Sequence, residues 1–433
     1  LKGFPMPSHQ SQGEWAVTRS ADEDIRAAKL LFGFFIAFVL AGGIFTLENI
    51  TTSTAEGNSL RQIVFLLILF LTVAQAKPMQ DPRRLLVLPA ALTLALAWCW
   101  LSVSWSTVPD VAIRRVALTT MIILTEFLAV SLLRTETTLR IVTKVCIALL
   151  AANLLVALLV PSVGVHQSDE IEGELAGDWR GLMLHKNFAG SVTAFTIMLC
   201  WFNPSNLSRM ARIAALAAAA FFLWGSNSKT SIGLLLPSIL CGVIYAKYYD
   251  TRPLALKFSL AAAVAVAAVA IIANQEMIAA AFDSPDTLTG RVQIWPLLTR
   301  YIAEHPWLGS GYGSFWNIGP GGPIYLYSDD WVSEMASGHQ GFLDLLAQIG
   351  APGLLLVIYA TIIGPLRAFA TLKTLPRANV ALLIAMLAFC VGHNFTESSL
   401  LDRDANVNFF LMLVIAIIEY ERRSRNDAWS HAA

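Results

Sequence analysis

The stretch Arg61-Gln-Ile-Val-Phe-Leu-Leu-Ile-Leu-Phe-Leu-Thr-Val-Ala-Gln-Ala-Lys77 decides the fold. Between its two basic ends it carries no charge and is apolar on every side of a helix. At 1.5 Å per residue such a run reaches most of the way across the ~30 Å hydrocarbon layer of a bilayer. Lipid offers no partner for backbone N–H and C=O groups, so the run must cross as a helix. Spans of this kind are expected near 30–48, 60–76, 85–105, 111–133, 139–160, 187–203, 210–225, 230–249, 256–274, 341–366, 378–396 and 405–420.

Composition agrees. The chain has 433 residues, of which 56% are hydrophobic and 14% charged, with a mean hydropathy of +0.61. A soluble protein carries about 25% charged residues, so most of this surface faces lipid. The expected fold class is all-α: a polytopic membrane protein of about 12 transmembrane helices. Net charge is zero, and nothing suggests the basic face that nucleic-acid binding needs. Cys99, Cys146, Cys200, Cys241 and Cys390 all lie in apolar segments without metal-ligand spacing, and read as buried free thiols. The first 25 or so residues are polar and do not fit a cleavable signal peptide, so the first helix is expected to be an uncleaved anchor.

Orientation follows from Lys and Arg placement. With the N-terminus in the cytoplasm, inside segments hold 21 of the 30 basic residues. The expected organisation is a cytoplasmic tail over 1–28, helices 1–9 over 29–274, an extracytoplasmic loop over 275–340, helices 10–12 over 341–421 and a cytoplasmic tail over 422–433. A second long outside loop covers 162–186. Loops of this length in a compact protein are commonly functional. Within the larger loop, residues 290–304 read as an amphipathic helix. Its face of Ile294, Leu297, Leu298, Tyr301 and Ile302 is expected to lie on the membrane surface. No repeat relates the two halves, as it often does in transporters.

Nine basic residues lie outside against the trend: Arg61, Arg114, Arg115, Arg180, Lys186, Lys229, Arg291, Arg300 and Arg403. Solvated charges or local salt bridges explain Arg61 and Arg300. Arg114 and Arg115 open an apolar run, and Arg180 and Lys186 flank another in Trp179-Arg-Gly-Leu-Met-Leu-His-Lys-Asn187. Basic groups at membrane depth are costly and tend to mark a substrate path. Arginines facing the outer leaflet suit a lipid-borne diphosphate, because guanidinium forks match phosphate oxygens. His339, at the loop's end, is the candidate for proton chemistry; a lone loop histidine is otherwise structural more often than catalytic. Glu397 ends an apolar helix at the outer face, where it either orients an arginine, accepts a sugar hydroxyl or simply sits at the interface. Asp402-Arg-Asp404 reads as a solvated turn, with a divalent-cation site as the alternative.

Five blocks of sequence resemble the O-antigen ligase and Wzy-type polymerase superfamily, and within it the ExoQ-like exopolysaccharide-polymerase branch. They are Arg180-Gly-Leu-Met-Leu-His-Lys-Asn187 with Gly190, Thr289-Gly-Arg-Val-Gln-Ile-Trp295, Pro306-Trp-Leu-Gly-Ser-Gly-Tyr-Gly-Ser-Phe-Trp316, His339-Gln-Gly-Phe-Leu-Asp-Leu-Leu-Ala-Gln-Ile-Gly-Ala-Pro-Gly353 and Asn394-Phe-Thr-Glu-Ser-Ser399. They cover roughly 180–400; the first half matches only in hydropathy. The resemblance implies a GT-C-like glycosyltransferase in the bacterial inner membrane, working on the periplasmic side. Its implied donor is an undecaprenyl diphosphate-linked glycan, and its acceptor a hydroxyl of another glycan or of lipid A core. His339 corresponds to the family's proposed base, and Arg180 and Arg291 to its diphosphate-holding arginines. No metal or other cofactor is expected, and other polysaccharide export proteins are possible partners.

A consistent mechanism follows. The diphosphate leaves with its charge stabilised by Arg180 and Arg291, helped by Lys186 or Arg115. Neutral His339 takes the proton of the attacking hydroxyl. His185, Tyr312, Glu397 and Arg114 are supporting candidates. Loop aromatics such as Trp307, Trp316 and Trp331 either stack on sugars or pack against the bundle. Gly309, Gly311 and Gly313 permit backbone turns close to a ligand. Polymerase and ligase stay unseparated at this stage. A lipid-linked glycan flippase and a scaffold of an export complex are the rivals from other classes.

Overall fold

The computed structural model describes residues 9–45, 58–170, 173–248, 250, 291–370, 372 and 375–430, the side chains of 9–22, 42–45, 291–292 and 426–430 excepted. Its described helices are α1 His9–Phe45, α2 Ser59–Ala76, α3 Ala90–Leu101, α4 Pro109–Leu159, α5 Pro161–Gly164, α6 Lys186–Phe202, α7 Arg209–Ser226 and α8 Lys229–Lys247. They continue with α9 Arg291–Glu304, α10 Gly341–Ile358, α11 Gly364–Phe369, α12 Arg377–His393 and α13 Asn406–Ser430. The expected span over 256–274 lies outside the described residues; each of the others coincides with a helix. Among the described residues β pairing is limited to an isolated bridge, Val165 with Trp179. Four of the helical stretches are long and apolar enough to cross a membrane: Ser59–Ala76, Pro109–Leu159, Lys229–Lys247 and Gly341–Phe369. Ala90–Trp105 and Arg377–His393 are shorter apolar helices.

Local sequence sets the ends. Asn58 caps α2 by accepting from Arg61 N at 3.0 Å, and Lys77 ends it in the left-handed region. α4 is 51 residues long and breaks at Arg134, whose φ is 62° and ψ 161°. Two helical runs, 109–133 and 135–159, thus meet at Arg134.

The centre of the bundle is α6, α12 and α13. Phe195 of α6 stacks on Phe410 of α13 with ring centroids 3.8 Å apart and meets Phe389 of α12 edge-on at 4.9 Å. α12 is buried on nearly all sides, which explains its lack of amphipathic pattern. On α2 and α7, Leu66, Leu67, Phe70, Phe221 and Trp224 are exposed. Apolar side chains in that position are at home only against lipid.

The larger loop has its own core. Ile294, Leu298 and Tyr301 of α9 pack with Phe315, Trp316, Ile324 and Val332, and with Ala347 of α10. This corrects the expectation that the α9 face lies on the membrane. The face is apolar as read, but the loop's own aromatics cover it, with Tyr301 and Phe315 edge-to-face at 4.8 Å.

α10 holds the loop in place. It departs from helical geometry at Gly350, φ 66°, just before Pro352, which has no N–H for the ladder. The carbonyls near this break take loop and side-chain donors: Ala347 O from Ser310 N at 2.9 Å, Gln348 O from Gly311 N at 2.8 Å and Ile349 O from Trp98 Nε1 at 2.9 Å. Gly311 has φ 94°, and a Cβ there would lie 2.8 Å from Ser106 Cβ. The glycines of this block therefore serve a close approach to α10 and its neighbours, correcting the expected approach to a ligand.

Candidate active site

Three helices begin side by side. α6 starts after His185, α8 after Ser228 and α10 after Gln340. His185 Nδ1 accepts from Asn187 N at 3.1 Å, and Gln340 Oε1 caps α10 at Leu343 N. Asn187 ties the three starts together. Its Nδ2 donates to Glu397 Oε1 at 3.1 Å, and its Oδ1 lies 3.3 Å from Ser228 Oγ. Glu397 Oε2 meets His339 Nδ1 at 3.0 Å, immediately before α10. Each helix start carries partial positive charge and unpaired N–H groups. Three of them beside one carboxylate–imidazole pair form a place suited to an anion.

The hydrogen bond of His339 fixes its chemistry. A carboxylate only accepts, so Nδ1 carries the proton and the lone pair of a neutral ring is on Nε2. The side chain of His339 is 28% exposed, that of Glu397 only 11%. The ring is reachable while its carboxylate is shielded. His339 itself has φ 51°, the left-handed region.

The smaller loop leads from this pair to the basic residues. The Val165–Trp179 bridge folds it back, and Arg180 N donates to Gly164 O at 2.9 Å. His166 is 2% exposed. Its Nε2 accepts from Lys186 N at 3.3 Å, and its Nδ1 pairs with Glu170 Oε2 at 2.9 Å. Glu170 takes the Arg180 fork with both oxygens, at 3.0 and 2.7 Å, while Arg180 Nε donates to Val163 O at 2.9 Å. Lys186 Nζ meets Asp178 Oδ2 at 2.6 Å. Burial lowers the His166 pKa against the opposing pull of Glu170. Burial would raise Glu170, but His166 and Arg180 outweigh it and hold the carboxyl below its ordinary range. A chain of bonded neighbours thus runs from His339 through Glu397 and Asn187 to the first turn of α6, and on through His166 and Glu170 to Arg180.

Of the residues singled out in the sequence, the structure joins His339, Glu397, His185, Lys186 and Arg180 in this assembly. Arg291 begins α9, and its side chain lies outside the described residues. Arg115 sits elsewhere, donating to Gly313 O at 2.6 Å, Trp316 O at 2.8 Å and Asn317 O at 2.6 Å. It fastens the larger loop to α4. Arg114 donates from Nε to Asp110 O at 3.2 Å on an exposed face. Tyr312 is buried against Thr119 Oγ1, 2.8 Å away, and donates to Leu401 O. Burial pushes its phenol up, so it stays protonated and structural. Phe315 and Trp316 are buried in the loop core, whereas Trp307 and Trp331 are exposed.

Asp402-Arg-Asp404 forms a turn partly open to solvent, the Asp404 side chain being 38% exposed, and its charges are paired. Asp404 pairs with Arg61 and, at 2.8 Å, with Arg403. Burial works against ionisation, but Arg403 and Arg61 hold this carboxyl at about 2. Burial and then the neighbouring Asp404 push Asp402 up. The pairing of Arg61 with Asp404 joins the start of α2 to the turn before α13.

Sequence reasoning missed Asn187, His166, Glu170 and Asp344. Asp344 alone had a usable signal: an acid inside an apolar run.

The O-antigen ligase family model matches residues 213–358, a segment that contains His339 and lies between Arg180 and Glu397. The exopolysaccharide production protein ExoQ of Rhizobium meliloti (strain 1021) is 25% identical over 342 residues, covering 75% of this chain and 76% of that protein. The family match spans three of the five blocks, those at 289–295, 306–316 and 339–353, and together the two matches bear out the resemblance: the chain is similar to the O-antigen ligase family and to ExoQ.

Proposed function

We propose that the chain is a membrane glycosyltransferase that builds a surface polysaccharide from undecaprenyl diphosphate-linked glycan on the periplasmic face of the bacterial inner membrane. The observation that carries this reading is the His339–Glu397–Asn187 set at the meeting of three helix starts. His339 Nε2 takes the proton of the acceptor hydroxyl. The hydroxyl oxygen attacks the anomeric carbon as the bond to the diphosphate breaks, which inverts that centre. Glu397 holds the ring and stabilises the imidazolium, as a carboxylate does behind a catalytic histidine. For the leaving diphosphate the proposed partners are the helix starts together with Lys186 and Arg180, which would exchange Asp178 and Glu170 for phosphate oxygens, with Arg291 expected to join them. About 12 transmembrane helices in a GT-C-like arrangement would supply the lateral path for the lipid. The relative's part in exopolysaccharide production supports the polymerase reading, while the O-antigen ligase family description supports transfer to lipid A core, so the products decide between them.

The test is purified protein incubated with lipid-linked repeat units, with and without a lipid A core acceptor. A ladder of multimers is the expected product; single capping of the core makes the chain a ligase. His339→Ala is expected to abolish transfer while the protein stays folded and inserted. Near-normal transfer by that variant removes His339 from the mechanism. Arg180→Ala is expected to raise the donor KM about tenfold, the worth of one charge-assisted pair; an unchanged donor KM refutes the clamp. Donor recovered intact on the opposite leaflet would make the chain a flippase.

A further inference from the structure

Asp344 lies in the first turn of α10, five residues after the histidine, and is 4% exposed. Its Oδ1 accepts from Trp316 Nε1 at 2.8 Å and from Gly338 N at 3.1 Å. Its Oδ2 accepts from Gly338 N at 2.9 Å and from Ser398 Oγ. Ser398 Oγ in turn accepts from Gln340 N at 3.0 Å. The peptide N–H groups on both sides of His339 therefore end on one buried carboxyl, one directly and the other through a single hydroxyl.

Three consequences follow from this bonding. His339 has φ 51°, a backbone state that its β-carbon disfavours. Such a state persists only where the surroundings over-determine it, and the two flanking bonds do so. Trp316 belongs to the larger loop's core, so the same carboxyl ties that core to the start of α10. Ser398 follows Glu397 directly, so the carboxyl also ties down the segment that presents the imidazole's partner. The ring and its carboxylate are thereby referred to one anchor.

We propose that Asp344 is the positioning residue of the site, holding His339 and Glu397 in register for proton transfer without touching substrate. The proposal rests on the reading of His339 as the proton acceptor. Asp344→Asn keeps the volume but turns one accepting oxygen into an NH2 group facing donors. Displacement of the ring by a fraction of an ångström to one ångström costs up to about 100-fold in rate.

The experiment uses the full chain in nanodiscs with a lipid-linked repeat-unit donor, rates being taken per mole of folded protein. Asp344→Asn is expected to lower kcat about 100-fold and to leave the donor KM within about twofold of wild type. Ser398→Ala, which removes the bridge from Gln340 N to Asp344 and with it the tie to the Glu397 segment but leaves the Gly338 and Trp316 bonds, is expected to lower kcat about tenfold. Thr143→Ala, a buried hydroxyl on α4 remote from these segments, is the control for loss of packing and is expected to match wild type. If Asp344→Asn does not fold, Ser398→Ala decides alone. Wild-type kcat in these two variants, or a loss carried by KM, overturns the proposal. When His339→Ala is inactive, that result leaves the proposed function standing. If His339→Ala itself transfers at the wild-type rate, the reading of His339 falls and this proposal with it.

Discussion

Glu397→Gln isolates the charge behind the imidazole. The side chain keeps its shape, so packing around it is preserved. In the wild type each oxygen has a partner: His339 Nδ1 at 3.0 Å and Asn187 Nδ2 at 3.1 Å. The carboxylate is 11% exposed, so water screens neither bond well. Glutamine offers one oxygen in place of two and turns an NH2 towards the second donor. On the proposed mechanism the imidazolium of the transition state also loses its counter-charge. A hydrogen bond to a charged group contributes about 1.5–3 kcal/mol, which corresponds to roughly 10- to 150-fold in kcat. On the proposed reading donor affinity rests on Arg180, Lys186 and the helix starts, so the donor KM is expected to hold. Release of undecaprenyl diphosphate by the reconstituted variant, followed over a range of donor concentrations, separates kcat from KM. A kcat within twofold of wild type, or a loss carried wholly by KM, refutes the argument that Glu397 acts through His339.

Other expectations follow from neighbouring features. Arg115→Ala strands three loop carbonyls, at Gly313, Trp316 and Asn317; at about 1 kcal/mol or more for each buried acceptor, the loop is expected to become sensitive to limited proteolysis between 305 and 338 well below the unfolding temperature of α12. Gly190→Ala places a methyl carbon 2.4 Å from Ser228 Cβ; overpacking of this kind costs about 1–3 kcal/mol, and a thermal shift assay should register a lowered Tm together with reduced transfer. His166 has its folded pKa below the ordinary 6.5, so the folded chain binds fewer protons than the unfolded one. Its contribution to stability is therefore full above pH 6.5 and lost as pH falls through the folded value. Hydrogen exchange over 163–190 should quicken on acidification, and His166→Gln should flatten that dependence.

Much of the bundle was legible because lipid leaves a chain few choices. The gap between the expected spans 111–133 and 139–160 marked the break in α4, and the apolar runs marked α2, α6 and α8 to within a residue or two. The target of an apolar face was not legible. Ile294, Leu298 and Tyr301 have the same helical spacing whether lipid or an aromatic loop covers them. Glu397 was read as orienting an arginine, accepting a sugar hydroxyl or sitting at the interface, and its contact with His339 is a fourth arrangement that spacing did not reveal. His166, Glu170 and Asn187 belong to short irregular segments, where periodicity carries no information. Their partners come from distant parts of the chain, as with the pair Asn187 and Glu397.

The larger loop has a core of its own, joined to the bundle by the Arg115 fastening, the broken turn of α10 and the carboxyl of Asp344. A segment with its own core and few joints can exchange core residues without disturbing the packing of α6, α12 and α13, provided the three joints are kept. Substitutions among Ile294, Leu298, Phe315, Ile324 and Val332 should therefore combine additively with substitutions at Phe195, Phe389 or Phe410. The loop can thus drift in sequence at a rate separate from that of the bundle.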